Sequence, residues 1–241
     1  MRGIGAARDW IFQEFQRYAA ESGGRLNVEL QSFVQPATPP RIPEPTTITH
    51  LYRPIEEIQP SRHRLSLELP GEMTDDDIRA GFGKSTRQRI NGAERSDLRL
   101  ARYDTAGWPD DEGLFVGPAR PLDEALQGFY SMLESTGGRR GFRFGPRTVF
   151  VPWWRVAHDA GLLVYLEVIE TTGTAVGGLI LYRHGRRLTT VHSADRTGAR
   201  NDHPGLMHLL RWRAIQLARR EACVEMDLGG VDVAPYHRQP V

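Results

Sequence analysis

The chain has 241 residues, 39% of them apolar and 25% charged, with a formal net charge of +1. This is the balance of a globular protein with ample material for a core, and it excludes a global field toward nucleic acid or membrane, so any polyanion contact must be local. Cys223 is the single cysteine, which excludes a disulfide framework and a cysteine metal site, and no run approaches the roughly 18 apolar residues of a membrane helix.

The start, "MRGIGAARDWIFQEF", lacks the apolar h-region of a signal peptide, so the cytoplasm is the expected location. Residues 8–22 place Trp10, Ile11, Phe15, Tyr18 and Ala19 on one helical face, stopped by Gly23-Gly24. "RLNVEL" predicts a strand, after which Pro36, Pro39, Pro40, Pro43 and Pro45 forbid regular structure over a long loop. Leu65, Leu67 and Leu69 alternate in "HRLSLEL", the pattern of a half-buried strand. Thr74 and Asp77 form a capping pair for a helix that "GFG" breaks, and Ser85 with Gln88 predicts the cap of a second helix through Arg95. This region contains Gly83-Lys84-Ser85, the tail of a phosphate-binding loop, and Lys84 is the only lysine among 31 basic residues. The loop's first glycine would have to stand at Ile78, and an acidic run replaces the strand that should lead in, which excludes a nucleoside triphosphate site.

"DLRLARY" returns as a strand, and a loop with Trp108-Pro109-Asp110-Asp111 leads to Pro121, well placed to open the helix "LDEALQGFYSMLEST". "WWRVAHDAG" reads as a short helix. "LLVYLEVIE", "TAVGGLILYR" and "RLTTVHSA" are strands joined by turns at Thr172-Gly173 and His184-Gly185, too short for anything but antiparallel neighbours. Leu206, Leu209, Leu210, Ala214, Leu217 and Ala218 follow a helical period, and "CVEMDLGG" closes as a strand parallel to the one before the helix. This is the element order of the acyltransferase fold of the GNAT type. Coenzyme A binding on such a fold needs a compact Gly-rich loop before that helix. In "DRTGARNDHPG", Gly198 and Gly205 stand too far apart and Pro204 removes a donor, so no cofactor is expected.

A more specific resemblance follows from four segments. "LYRPIEEIQPSRHRLSLEL", "KSTRQRINGAERSDLRLARYD", "STGGRRGFRFGPRTVF" and "GLMHLLRWRAIQLARREACVEMDLGG" are similar, in that order, to segments of the FemABX-type peptidoglycan interpeptide-bridge aminoacyltransferases. The resemblance covers roughly residues 50–232. It implies an α/β (α+β) chain of two GNAT-like modules with mixed sheets, here 1–118, incomplete, and 119–241. It also implies transfer of an amino acid from aminoacyl-tRNA to the stem peptide of a lipid- or nucleotide-linked peptidoglycan precursor, and leaves peripheral membrane contact open. The family's Phe-Lys-X-Gly-Phe-Gly-Gly segment has no counterpart in "VDVAPYHRQPV", so the second module is expected to lack one wall of the precursor cleft.

The family motifs fall on Lys84, Arg87, Arg139, Arg140 and Phe142 as substrate-binding candidates. Arg139, Arg140, Arg143 and Arg147 interleave with Phe142, Phe144 and Phe150, the composition of a phosphate-facing patch or of a solvated basic loop. His192, on a strand facing the expected cleft, could polarise a carbonyl or accept a proton; Asp227, before Gly229-Gly230, could hold the attacking amine or cap the turn. His203 and His208 are five apart, off one helical face, so no metal set is expected. Two alternatives stay open: an acyl-CoA-dependent N-acyltransferase, and a non-catalytic module that binds a precursor or RNA.

Overall fold

The computed structural model divides the chain into two compact units, Met1–Glu56 and Glu57–Val241. It describes residues 63–105, 113–141 and 144–231, together with Gln13 and Arg17. Those two positions apart, the expected helix over 8–22 lies outside the described residues, as do the strand after it, the proline-rich loop and the Trp108–Asp111 loop.

The second unit is built on a six-stranded mixed sheet in the order β1-β6-β5-β4-β3-β2. β2 (Arg99–Tyr103), β3 (Leu163–Ile169), β4 (Ala175–His184) and β5 (Arg187–Asp195) form an antiparallel run. β6 (Glu225–Val231) joins β5 in parallel, as its crossover helix predicts, and β1 (His63–Glu68) pairs with β6 antiparallel. Strands on both sides of residue 118 therefore stand in one sheet.

Helices cover both faces. On one lie α1 (Asp75–Ala80), α2 (Lys84–Glu94), α5 (Ala199–Asp202) and α6 (Leu206–Arg220); on the other lie α3 (Leu122–Arg140) and α4 (Arg147–Asp159). Alternation along β3 sorts its side chains between the two cores. Val164, Leu166 and Val168 meet Ile90 of α2 and Leu210, Trp212 and Leu217 of α6. Leu163, Tyr165 and Ile169 meet Phe129 and Leu133 of α3 and Trp154 of α4. Burial on both faces explains why "LLVYLEVIE" is almost continuously apolar.

Two polar networks interrupt this packing. Glu167 of β3, fully buried, accepts the hydroxyls of Tyr165 at 2.9 Å and Tyr103 at 3.2 Å and pairs with Arg120. Gly178 lies nearby, where a Cβ would strike the rings of Phe129 and Tyr165. On the other face of the sheet, at the same end of β2, Arg102 and Asp104 are buried with Arg183 and Glu221. Arg183 reaches Asp104 Oδ1 and Glu221 Oε2, each at 2.9 Å, and Arg102 reaches Glu221 Oε1 at 2.9 Å. Buried charges are tolerated when they are paired with opposite charges, and this set ties β2 and β4 to the end of α6.

The Thr74–Asp77 capping box is present as expected. Ser85 is not a cap: α2 is capped two residues earlier, at Gly83, with no side-chain cap. α3 runs through Gly137-Gly138 and ends only where Gly141 turns left-handed at φ 77°, so Arg139 and Arg140 belong to its last turn, where cations meet the negative end of the helix. α4 begins at Arg147, six residues before the expected "WWRVAHDAG", because Pro146 caps it with φ already fixed. Among the described residues no helix is long and apolar enough to cross a membrane.

Candidate functional site

β5 and β6 are paired over only three positions: Arg187 with Glu225, Leu188 with Met226 and Thr189 with Asp227. Beyond them β6 continues beside β1 and β5 beside β4. The cause lies in β5. Ile180 pairs with His192 and Leu181 with Thr190, which leaves Val191 as an extra residue, a β-bulge that adds twist and turns the strand from its neighbour. The parting leaves two facing main-chain edges open to a ligand, since the polar groups of those edges need partners.

The register assigns side chains to this gap. His192 lies opposite Ile180 and Thr189 opposite Tyr182, both on the α3–α4 face, and Asp227 lies across from Thr189. His192, Thr189 and Asp227 thus share one face at the parting. Asp227 is 2% exposed and its Oδ1 accepts the main-chain N–H of Gly229 at 2.8 Å. Thr189 Oγ1 and Thr190 Oγ1 are buried with no hydrogen-bond partner. His192 stands among Phe144, Phe150 and Trp154 at centroid distances of 5.5, 5.8 and 5.7 Å. Burial pushes its imidazole down to about 4, so the ring is neutral at neutral pH, able to accept or donate a hydrogen bond but not to hold a second proton.

The mouth of the gap is at the carboxyl ends of the parallel strands. Asp195, almost fully buried at the end of β5, accepts Nε and Nη2 of Arg200, each at 2.9 Å. Arg139 reaches over from α3 to the Asp195 carbonyl at 3.2 Å and to Thr197 Oγ1 at 2.6 Å. Arg140, the next residue, is exposed. Lys84 and Arg87 are on α2, which packs on the sheet face opposite His192. Lys84 is exposed. Arg87 is turned inward, donating to the carbonyls of Ala80, at 3.0 Å, and Phe82, and so clasps the turn between α1 and α2. Phe142 lies outside the described residues.

The structure therefore brings His192 and Asp227 to one gap with Arg139 and Arg140 near its mouth, and sets Lys84 and Arg87 apart from it. Sequence reasoning missed Thr189; Thr190, opposite Leu181, faces the other core. A threonine pair in a β-rich run is ordinary strand composition, and only the strand register shows which of the two hydroxyls faces the gap. It also missed the aromatic wall, whose parts are separated in sequence. Among the described residues no group of three or more His, Cys, Asp or Glu side chains could hold a metal ion.

No known family signature matches the chain. The solved structure of FemX superposes with a TM-score of 0.57 at 14% identity, over 73% of this chain and 55% of FemX. The fold is that of FemX. The aligned part thus spans little more than half of FemX, and at this identity the likeness speaks of the fold alone. L-PGS from Bacillus licheniformis superposes over 73% of this chain with a TM-score of 0.46 at 12% identity. Short segments also match fungal proteins named probable zinc metalloprotease. In those of Pyrenophora teres f. teres and Pyrenophora tritici-repentis the identity is 56% over 50 residues, covering 21% of this chain and 10% of each relative. The chain thus spans about a tenth of their length.

Proposed function

We propose that the chain is an aminoacyltransferase that moves an amino acid from aminoacyl-tRNA to an amine of a peptidoglycan precursor's stem peptide. The observation that carries this reading is the parting of β5 from β6 with His192, Thr189 and Asp227 on one face, in a chain with the fold of FemX and segments that resemble those of the FemABX family.

Transfer from an ester to an amine needs no nucleophilic side chain, because the ester is already activated. The amine has to lose a proton, and the ester oxygen has to be met by donors as it gains charge. In this reading Asp227 attracts the acceptor ammonium to the gap. The hydroxyl of Thr189, unpartnered in the protein, is a donor for the developing oxyanion. His192, kept neutral by its aromatic surroundings, orients the carbonyl or the amine by a hydrogen bond. With so low a pKa it does not retain the proton, which leaves with the ribose hydroxyl or to water. Alignment of two large substrates along two open strand edges would supply much of the rate.

The test is transfer of a radiolabelled amino acid from a pool of charged tRNA to nucleotide- and lipid-linked muropeptides. Label appearing in a muropeptide supports the reading. Saturable micromolar binding of coenzyme A by calorimetry, with no transfer from tRNA, would replace it with acyl-CoA-dependent acylation.

A further inference from the structure

Near the mouth of the gap, four elements gather basic residues. Arg140 ends α3, Arg200 lies in α5, His208 and Arg211 lie in the first two turns of α6, and Arg89 lies in α2. Backbone packing sets their proximity. Gly205 caps α6 at φ 93° and lies so close to α2 that a Cβ would fall on the Arg89 carbonyl. Arg139, one residue before Arg140, is fastened to the Asp195–Thr197 segment that leads into α5.

Many arginines elsewhere in the described chain are matched with carboxylates: Arg79 and Arg213 with Glu94, Arg219 and Arg220 with Asp75, Arg102 and Arg183 with Asp104 and Glu221; Arg87, Arg95 and Arg186 donate to backbone carbonyls instead. Arg89, Arg140 and Arg211 are exposed and have no carboxylate or hydrogen-bonded side-chain partner. Although Arg211 keeps solvent exposure, loss of hydration against the surrounding chain, with the charges of Arg200 and Arg140, holds its guanidinium below its usual range. Desolvation, with Arg89, Arg211 and Arg200, does the same to His208, whose ring is neutral at neutral pH. α6 adds the same sign, for it starts with no acidic residue in its first turn and no side-chain cap. Uncompensated like charges destabilise the free protein and become favourable once an anion lies among them.

We propose that Arg89, Arg140 and Arg211, with His208, form a seat for the phosphodiester backbone of RNA at the mouth of the cleft. This deepens the aminoacyl-transfer reading and rests on it. Cations spread over separate elements suit a row of phosphates. A bilayer is less well matched, because none of the large apolar side chains exposed among the described residues lies on α2, α5, α6 or the last turn of α3, so the patch has nothing to insert.

The experiment titrates the full chain into a fluorescein-labelled RNA hairpin that has an acceptor stem and a single-stranded CCA end, deacylated so that binding is read without transfer. Arg140→Ala with Arg211→Ala is expected to weaken binding about tenfold at about 0.1 M salt and to make the slope of log K against log salt shallower by about 1.5. Arg147→Ala with Arg155→Ala removes the same formal charge from arginines already paired with Glu134, Asp123 and Asp159 and is expected to change neither. Equal weakening by both double variants, or by neither, overturns the seat. So does loss of binding to phosphatidylglycerol vesicles with RNA affinity intact, which would assign the patch to a lipid headgroup. Transfer by the wild type together with unchanged RNA affinity in the Arg140/Arg211 variant sinks the seat alone. Patch-dependent RNA binding without any transfer sinks the aminoacyl-transfer reading alone.

Discussion

His192 meets Phe144 edge-on, with ring centroids 5.5 Å apart and planes at 82°. A charged imidazolium placed there would lose its hydration without gaining a carboxylate, which is why burial lowers its pKa to about 4 from 6.5. The consequence for stability has a definite sign. Between pH 6.5 and 4 the unfolded chain binds a proton at this position that the folded chain does not, so the contribution is present above pH 6.5 and is lost as the pH falls toward 4. From pH 7.5 to pH 5 the loss attributable to His192 should be about 2 kcal/mol. Urea unfolding of wild type and of His192→Phe, which keeps an aromatic ring in the slot, should show that difference in pH dependence. Parallel pH profiles would mean that the imidazole titrates normally.

In the proposed reaction the Asp227 carboxylate holds the acceptor amine. Asp227→Asn keeps the acceptor oxygen for the Gly229 N–H and removes the charge, so the fold should persist while transfer falls by roughly 10²-fold or more. Thr189→Val should lower kcat with little change in KM, as expected of a donor used in the transition state. A variant Asp227→Asn with wild-type transfer would remove this residue from the reaction.

Gly205 occupies a left-handed backbone position against the carbonyl of Arg89. Gly205→Ala combines an unfavourable φ with a steric collision on main chain that cannot swing aside, and should cost about 3 kcal/mol. Gly138→Ala serves as the reference, since a Cβ at that helical position meets nothing within 4 Å, and should leave stability unchanged or slightly raised. Thermal denaturation of the two variants separates the outcomes; equal melting temperatures would show that α2 and α6 can move apart freely.

Arg102 is fully buried with Asp104, and the pair is completed by Arg183 and Glu221. Arg102→Met strands part of a buried negative charge and should destabilise the chain by about 3–5 kcal/mol, whereas exchanging Arg102 and Asp104 together for apolar residues of similar volume should cost less than Arg102→Met alone. Denaturant midpoints of the single and double variants provide the check.

The periodicities that announced β1 to β6 and α6 were legible because each repeats over several residues: the alternation at Leu65, Leu67 and Leu69, and the helical spacing from Leu206 to Ala218. The short turns fixed the antiparallel run, and the helix between β5 and β6 fixed the parallel pair. What could not be read was which strands become neighbours over long separations. β1 pairs with β6 across more than 150 residues (Glu68 faces Glu225), and nothing local in "HRLSLEL" selects that partner. Helix ends were misread at Ser85, where Gly83 starts the helix without a side-chain bond, and at Gly137-Gly138, where burial against the sheet outweighs the poor helical propensity of glycine. His192 and Asp227 stood out as chemistry-bearing residues in strands. Their shared face depends on the bulge at Val191, a one-residue irregularity that alternation patterns do not reveal.

The short β5–β6 ladder also has a consequence for the order of assembly. With only three positions tying β6 to β5, the far half of β6 leans on β1. During synthesis β1 is the first of the described strands to leave the ribosome and β6 the last, so β1 waits without its neighbour while the antiparallel run from β2 to β5 is made. Long-range pairings of this kind are slow to form because loop closure precedes any gain from contact. The gap that holds Asp227 is therefore the last part of the sheet to be completed. A partly made chain can have a nearly whole core and still lack the acidic side of its cleft.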